Sequence, residues 1–285
     1  MLFQVKKELD YYFSALFEHS NRIENVRYFL LTATLCATSF SIYVHGYYLY
    51  SAVIAAFFFQ ILSWFLRTRA ENIRYLANEF QKISMLYLAY GTVPSEFQLS
   101  HLKVLVSENI SSKVSEKIEN DEKGAEYNLE SSVTARDILM SMIHENSYWN
   151  HHLYRTIFII LAAGISTIVI ALLIVSLFAL PLIKIDPEYT IPRLAFTFLS
   201  FSLIYEVLEK ATKSYSSSKI MLEIDNELSI SRKNIAEENL VKVFNQYCTA
   251  KEAAPNVPNF IYKSNSERLN NGWNSRIKMK AKSNV

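Results

Sequence analysis

With 285 residues, 51% of them hydrophobic, the chain can supply a membrane core and one modest polar body. Its 5 Gly and 6 Pro, set against 18 Phe and 18 Tyr, favour long uninterrupted helices over a turn-rich β fold. A net charge of +2 excludes a polyelectrolyte built to hold nucleic acid along its length, and the two cysteines, Cys36 and Cys248, exclude a disulfide framework or CxxC zinc site.

The opening MLFQVKKELDYYF has no apolar h-region, so no cleaved signal peptide is expected. Over residues 1–27, Leu2, Val5, Leu9, Tyr12, Leu16 and Ile23 recur at near-heptad spacing and predict an amphipathic helix. Four stretches then have the length and apolarity of membrane spans. They are Tyr28 to His45, Tyr47 to Leu66, Thr156 to Ile183, and Ile191 to Leu208, the last carrying Arg193 and Glu206 near its ends. Segments one and two are joined only by a turn at His45-Gly46, and three and four by KIDPEYT, so the layout is two hairpins. Arg22, Arg27, Arg67, Arg69, Arg74, Arg155, Lys210, Lys213 and Lys219 all lie near the outer ends of the hairpins. The positive-inside bias therefore expects both termini and the central region in the cytoplasm.

Between the hairpins, Ile73, Leu76, Phe80, Ile83 and Tyr87 predict a helix continuing segment two, stopped at Gly91 before Pro94. A further helix is predicted near Phe97–Ile110, with 111–130 a solvated loop or frayed helix. Ser131 or Ser132 is expected to cap a long helix entering segment three. After segment four, Ile220, Ile224, Leu228, Ile235, Val241 and Phe244 predict one long helix broken at Pro255, then a short one from about Ser264 to Met279. The predicted fold is all-α: a polytopic membrane protein with two transmembrane hairpins (28–66 and 156–208), an N-terminal amphipathic helix (1–27), and helical cytoplasmic regions (67–155 and 209–285). Residues 67–155 hold ten Lys/Arg and twelve Asp/Glu, whereas 209–285 hold thirteen and eight, leaving the C-terminal part with an excess of five cations. That excess suits an anionic partner or lipid head groups.

No Walker loop, GxGxxG, nucleophile elbow or paired-carboxylate pattern is present, so no residue is nominated as catalytic and no cofactor is expected. His144 and His151 share a helix face but lie roughly 10 Å apart along the axis at 1.5 Å per residue, too far to share a metal ion, and none is assigned. Thr34, Thr38 and Ser41 in segment one and Gln60 and Ser63 in segment two form polar stripes. Such stripes either pack helices through small residues and hydrogen bonds or line a watery path, and these five are the pore-lining candidates.

Two stretches carry a resemblance. ARDILMSMIHENSYWNHHLYR, leading into segment three, and APNVPNFIYKSNSERLNNGW near the C-terminus are similar to bacterial SMODS-associated four-transmembrane effectors, as is the two-hairpin layout. The resemblance implies an antiphage effector in the bacterial inner membrane. A partner nucleotidyltransferase would make an oligonucleotide or cyclic nucleotide signal, and this chain would answer by permeabilising the membrane. Four helices leave little room for water, so a pore would need a homo-oligomer, with a tetramer as the guess. Arg and Lys to neutralise phosphates and aromatics to stack on bases would come from Arg136, Trp149, Arg155, Arg232, Lys233, Tyr262, Lys263, Arg268, Trp273 and Arg276. The rival readings are a single-chain transporter or sensor and a membrane-anchored adaptor without channel activity.

Overall fold

The computed structural model describes residues 2–40, 46–91, 95–120, 134–179, 190–231 and 235–283, and among these it is all helical. The helices are α1 (Leu2–Phe40), α2 (Tyr47–Tyr90), α3 (Glu96–Val104), α4 (Glu108–Glu119), α5 (Ala135–Ala179), α6 (Thr190–Ser231), α7 (Glu237–Ala253) and α8 (Asn259–Ser283). Among the described residues, two of them are long and apolar enough to cross a membrane. These are α2 and the Ala135–Ile170 stretch of α5, with 18-residue windows of mean hydropathy 1.9 and 2.0.

The ends of the helices follow local chemistry. Gly46 and Gly91 flank α2 with φ of +65° and +64°, a left-handed conformation that costs glycine nothing. At the second, the Gly91 N–H donates to the Tyr87 carbonyl at 2.9 Å and closes the last turn. The Ser95 hydroxyl caps α3 by accepting from the Gln98 N–H at 3.2 Å. At the start of α5 the Thr134 Oγ1 accepts from the Asp137 N–H at 3.2 Å and donates to the Asp137 carboxylate, while Ser131 and Ser132, the expected caps, lie outside the described residues. Ala254, held extended (ψ 148°) by Pro255, ends α7.

Four expected boundaries move. No break separates the amphipathic stretch from segment one, because α1 runs without Gly or Pro from Leu2 to Phe40. The helix expected over Phe97–Ile110 is interrupted after Val104, and of the loop or frayed helix expected over 111–130 the described part, up to Glu119, belongs to α4, which buries Ile110 and Val114 one turn apart. The long helix expected after segment four is two, α6 and α7, and Ile235 between them is buried although it is outside both. The last helix also begins earlier, at Asn259, where the Pro258 carbonyl accepts from Ile261 and Tyr262.

The chain forms two compact units: Met1–Asn21 with Glu71–Thr156 and Lys213–Val285, and Arg22–Ala70 with Ile157–Thr212. The first has an aromatic-rich core in which Leu9, Tyr12 and Leu16 of α1 meet Ala77 and Phe80 of α2 and Ile110 and Val114 of α4. Tyr12 stacks on Phe80 with ring centroids 4.9 Å apart. Asp10, at the edge of this core, accepts from the Ser84 hydroxyl at 2.6 Å. Within the same unit His144 of α5 reaches Asp225 and Ser229 of α6, and His151 reaches Ser218. A step of seven along one helix matches a step of seven to eleven back along the other, so these stretches run antiparallel.

The second unit gives the corresponding information for the other helices. Gln60 meets Ser202 and Arg67 meets Glu209, both at a separation of 142 residues, so α2 and α6 run parallel here. Arg27 and Glu24 of α1 meet Glu206 and Lys210, in the reverse order, so α1 runs antiparallel to α6. Leu49 and Ala56 of α2 are buried with Ala52, Val53 and Ala37, small side chains that let α1 and α2 approach closely. The opposite face of α2 is inverted relative to a soluble protein. Ile54, Phe57, Phe58, Ile61, Trp64 and Phe65 are exposed at three- and four-residue spacing. Ile159, Ile160 and Ile170 of α5 are exposed as well.

Candidate functional site

Two constellations concentrate polar chemistry, one in each unit. In the second unit, Arg27 is fully buried, and its guanidinium donates to Glu24 at 2.9 Å and pairs with Glu206. Lys210 reaches the same Glu24 carboxylate at 3.3 Å and the Tyr28 hydroxyl at 2.9 Å. Burial alone would push the Glu24 carboxyl up, but Lys210 and Arg27 outweigh it and hold it below the ordinary carboxylate value. Next to this group, one Arg67 nitrogen meets both Glu209 oxygens at 2.9 Å. Arg27, Glu24, Glu206 and Lys210, and beside them Arg67 and Glu209, are thus matched into ion pairs, as burial of charge demands.

In the first unit, α5 and α8 face each other across a histidine–aromatic seam. His144 Nε2 lies 3.0 Å from both an Asp225 carboxylate oxygen and the Ser229 hydroxyl. Arg276 of α8 donates to both Asp225 oxygens at 2.8 and 2.9 Å, and to Ser229 at 3.1 Å. Burial pushes the Asp225 carboxyl up, and the His144 hydrogen bond and the Arg276 charge together bring it below its ordinary value. Trp273 packs edge-on to His144 at 5.0 Å and close to Tyr148 at 5.5 Å, and Arg276 lies 5.3 Å from the Tyr148 ring centroid. At Gly272 a Cβ would fall 2.4 Å from the Tyr148 hydroxyl, so any larger residue there would have to displace the end of that ring. The neighbouring Asn256 and Asn259 donate to and accept from Ser20 and Asn21 of α1. The two family-like stretches are therefore packing partners, one on α5 and the other around α8.

Outside that seam, the same two helices present cations and rings to solvent. Trp149 and the half-exposed Tyr262 lie 5.7 Å apart at 31°. Arg155, Lys263 and Arg268 are exposed, and Arg155 and Lys263 pair with no carboxylate among the described residues. Arg268 donates to Asn265 at 2.8 Å. Burial lowers the His152 pKa, His151, Arg268 and Arg155 lower it further, and the Asp225 charge partly offsets them.

No protein-family model, no curated protein and no solved structure matches the chain.

The structure sorts the candidate residues. Trp149 of α5 lies against Tyr262 of α8, Arg155 and Arg268 come close enough to His152 to bear on its charge, and Lys263 is exposed next to Tyr262 in the chain. Trp273 is buried in the seam, Arg276 is held by Asp225, and Arg136 donates to the Ile235 carbonyl at 3.2 Å. Arg232, Lys233 and Ser41, with the side chain of Thr38, lie outside the described residues. Of the polar stripes, Thr34 is buried and donates back to the Leu30 carbonyl at 3.0 Å, Ser63 is buried, and Gln60 bonds to Ser202 at 3.3 Å. Asp225 carried no signal in the sequence, and His152 stood out only as the neighbour of His151 that points away from the face of His144 and His151. Glu206 carried the available signal for Arg27, since a lone acid in an apolar segment requires a counter-ion.

A third group sits in the first unit, where the Lys251 ammonium lies 5.1 Å from the Phe17 ring centroid beside Cys248, Asn78 and Gln81. Burial pushes Lys251 down to about 7 and the Cys248 thiol up to about 11, leaving the thiol protonated and unreactive. Because the folded lysine releases its proton well below its ordinary value of 10.5, the unfolded chain binds more protons between about pH 7 and 10.5. Stability should therefore rise with pH through that window, and Lys251→Met should flatten the rise in a series of thermal midpoints.

Proposed function

We propose that the chain is a four-span protein of the bacterial inner membrane with both termini in the cytoplasm. Several copies, four as the working number, assemble into an ion channel or pore whose state is set by a nucleotide signal. The observation that carries the membrane part is the inverted α2. Its bulky apolar side chains point outward while Ala52, Ala56 and Ser63 turn inward, an arrangement that only lipid or other apolar surface satisfies. The exposed apolar residues on α5 and the cations at the outer ends of the hairpins support the same reading, with α1 and α6 as the two further spans.

The signal would bind the exposed part of α5 and α8 that carries Trp149 and Tyr262, with Arg155, Lys263 and Arg268 as its cations and His152 nearby. Cations give the electrostatic share of affinity for phosphates, and exposed rings offer stacking surfaces that any base can use. The reading assigns no catalysis, and its partners are lipid, further copies of the chain and an oligonucleotide or cyclic nucleotide made by a separate nucleotidyltransferase. The polar stripes of α1 and α2 then hold helices together or face water once copies assemble.

Binding tests the site directly. Arg155→Glu with Arg268→Glu should weaken binding of short oligodeoxyadenylates and cyclic dinucleotides at least about tenfold and lower the salt dependence by about two counter-ions, with the thermal midpoint unchanged. Trp149→Ala should weaken it by about 1–3 kcal/mol if a base stacks there. Unchanged affinity in both variants removes this face from the account.

A further inference from the structure

The first unit contains an acidic groove that none of the roles above uses. It lies between α6 and α7, encloses about 720 Å³, and has Ile220, Ile224 and Val241 on its apolar side. Glu223, Glu227 and Glu238 stand around it and are exposed, with Lys242 the single cation among its lining residues. Glu223 makes only a loose 4.0 Å contact with Lys219, and Glu227 and Glu238 pair with no cation among the described residues. An apolar floor with an uncompensated acidic rim fits a basic, partly apolar helix end better than it fits solvent.

The same chain carries such an end. After Glu267 the sequence of α8 has no further acid, and Arg276, Lys278, Lys280 and Lys282 follow at every second position. Arg276 is held by Asp225, whereas Lys278 and the large apolar Met279 are exposed. The inner face of α8 is already used, with Ile261, Leu269 and Trp273 buried, so its outer face is available to another molecule.

We propose that the groove between α6 and α7 receives the basic C-terminal end of α8 from a second copy of this chain. Groove and helix end are different surfaces, so the contact is head-to-tail, and such contacts propagate around a ring until it closes. The carboxylates face the lysines and Met279 covers the apolar floor. The contact gives the proposed assembly a cytoplasmic joint, and in that respect it rests on the homo-oligomer of the preceding section.

The test is the size of full-length protein in detergent, measured by light scattering and by cross-linking in membranes. Glu227→Lys with Glu238→Lys should shift the population at least tenfold towards smaller species. Lys278→Glu with Lys280→Glu should do the same, and the fourfold combination should restore the wild-type size. Matching thermal midpoints would show that each variant folds. If wild type is oligomeric and neither charge reversal changes its size, the groove contact is overturned while the assembly stands. If wild type is monomeric in detergent and in membranes, both fall. If only the lysine reversal acts, and it acts by weakening sedimentation with anionic vesicles, the helix end belongs to lipid and the groove contact is overturned.

Discussion

Replacing Arg27 by alanine should destabilise the protein by about 3–5 kcal/mol, the usual cost of removing one partner from a buried ion pair. The side chain has no exposed surface, and its loss leaves Glu206 in an apolar setting without a counter-charge. Glu24 would keep Lys210 at 3.3 Å, so the damage concentrates on Glu206. Removing both charges together, Arg27→Met with Glu206→Leu, should recover most of the loss, since a packed apolar pair avoids the desolvation that the ions undergo. Denaturant unfolding in detergent measures both. A single variant within about 1 kcal/mol of wild type would mean that Arg27 reaches water.

The second large effect is expected at Asp225. This carboxylate is the common acceptor for His144 and Arg276, and it joins α5, α6 and α8 at one point. Asp225→Ala should cost about 2–4 kcal/mol, because His144 is buried and would lose its charged partner while Arg276 can turn to solvent. The linkage has a definite sign. A carboxyl held below its ordinary 3.8 contributes stability that is complete above that value and is lost as pH falls through the folded pKa. Wild type should therefore lose stability on acidification below 3.8 more steeply than Asp225→Asn does, with equal slopes contradicting the account.

Much of the fold was legible because membrane-like helices and punctuated turns leave strong local signals. Gly91 ends α2 where its conformational freedom predicts, and Pro255 ends α7. The misplaced boundaries have physical causes. The change at residue 28 is one of surroundings, from half-apolar to wholly apolar, and the backbone has no reason to break there, so α1 continues. Ile235 kept the hydrophobic phase running from α6 into α7 because it is buried in the connection itself. In α4 the intervening Ser, Lys and Glu residues masked an apolar face of Ile110, Val114 and Ile118 that their four-residue spacing could have disclosed.

Candidate sites were less legible, since an aromatic beside a cation looks the same in a packed seam and on an exposed face. Trp273 and Trp149 stand in similar sequence contexts, yet one is buried against His144 and the other lies against the half-exposed Tyr262. Only tertiary packing separates them. Asp225 was equally hidden, because its partners come from helices distant in sequence.

Ion flux from purified full-length protein in liposomes, with and without oligodeoxyadenylate or cyclic dinucleotide, tests the central claim most directly. The account predicts flux that requires assembled protein, changes on adding one of these ligands, and loses that response in the Arg155→Glu, Arg268→Glu variant. Vesicles that stay tight to ions under every condition, although the protein is inserted and assembled, would contradict it.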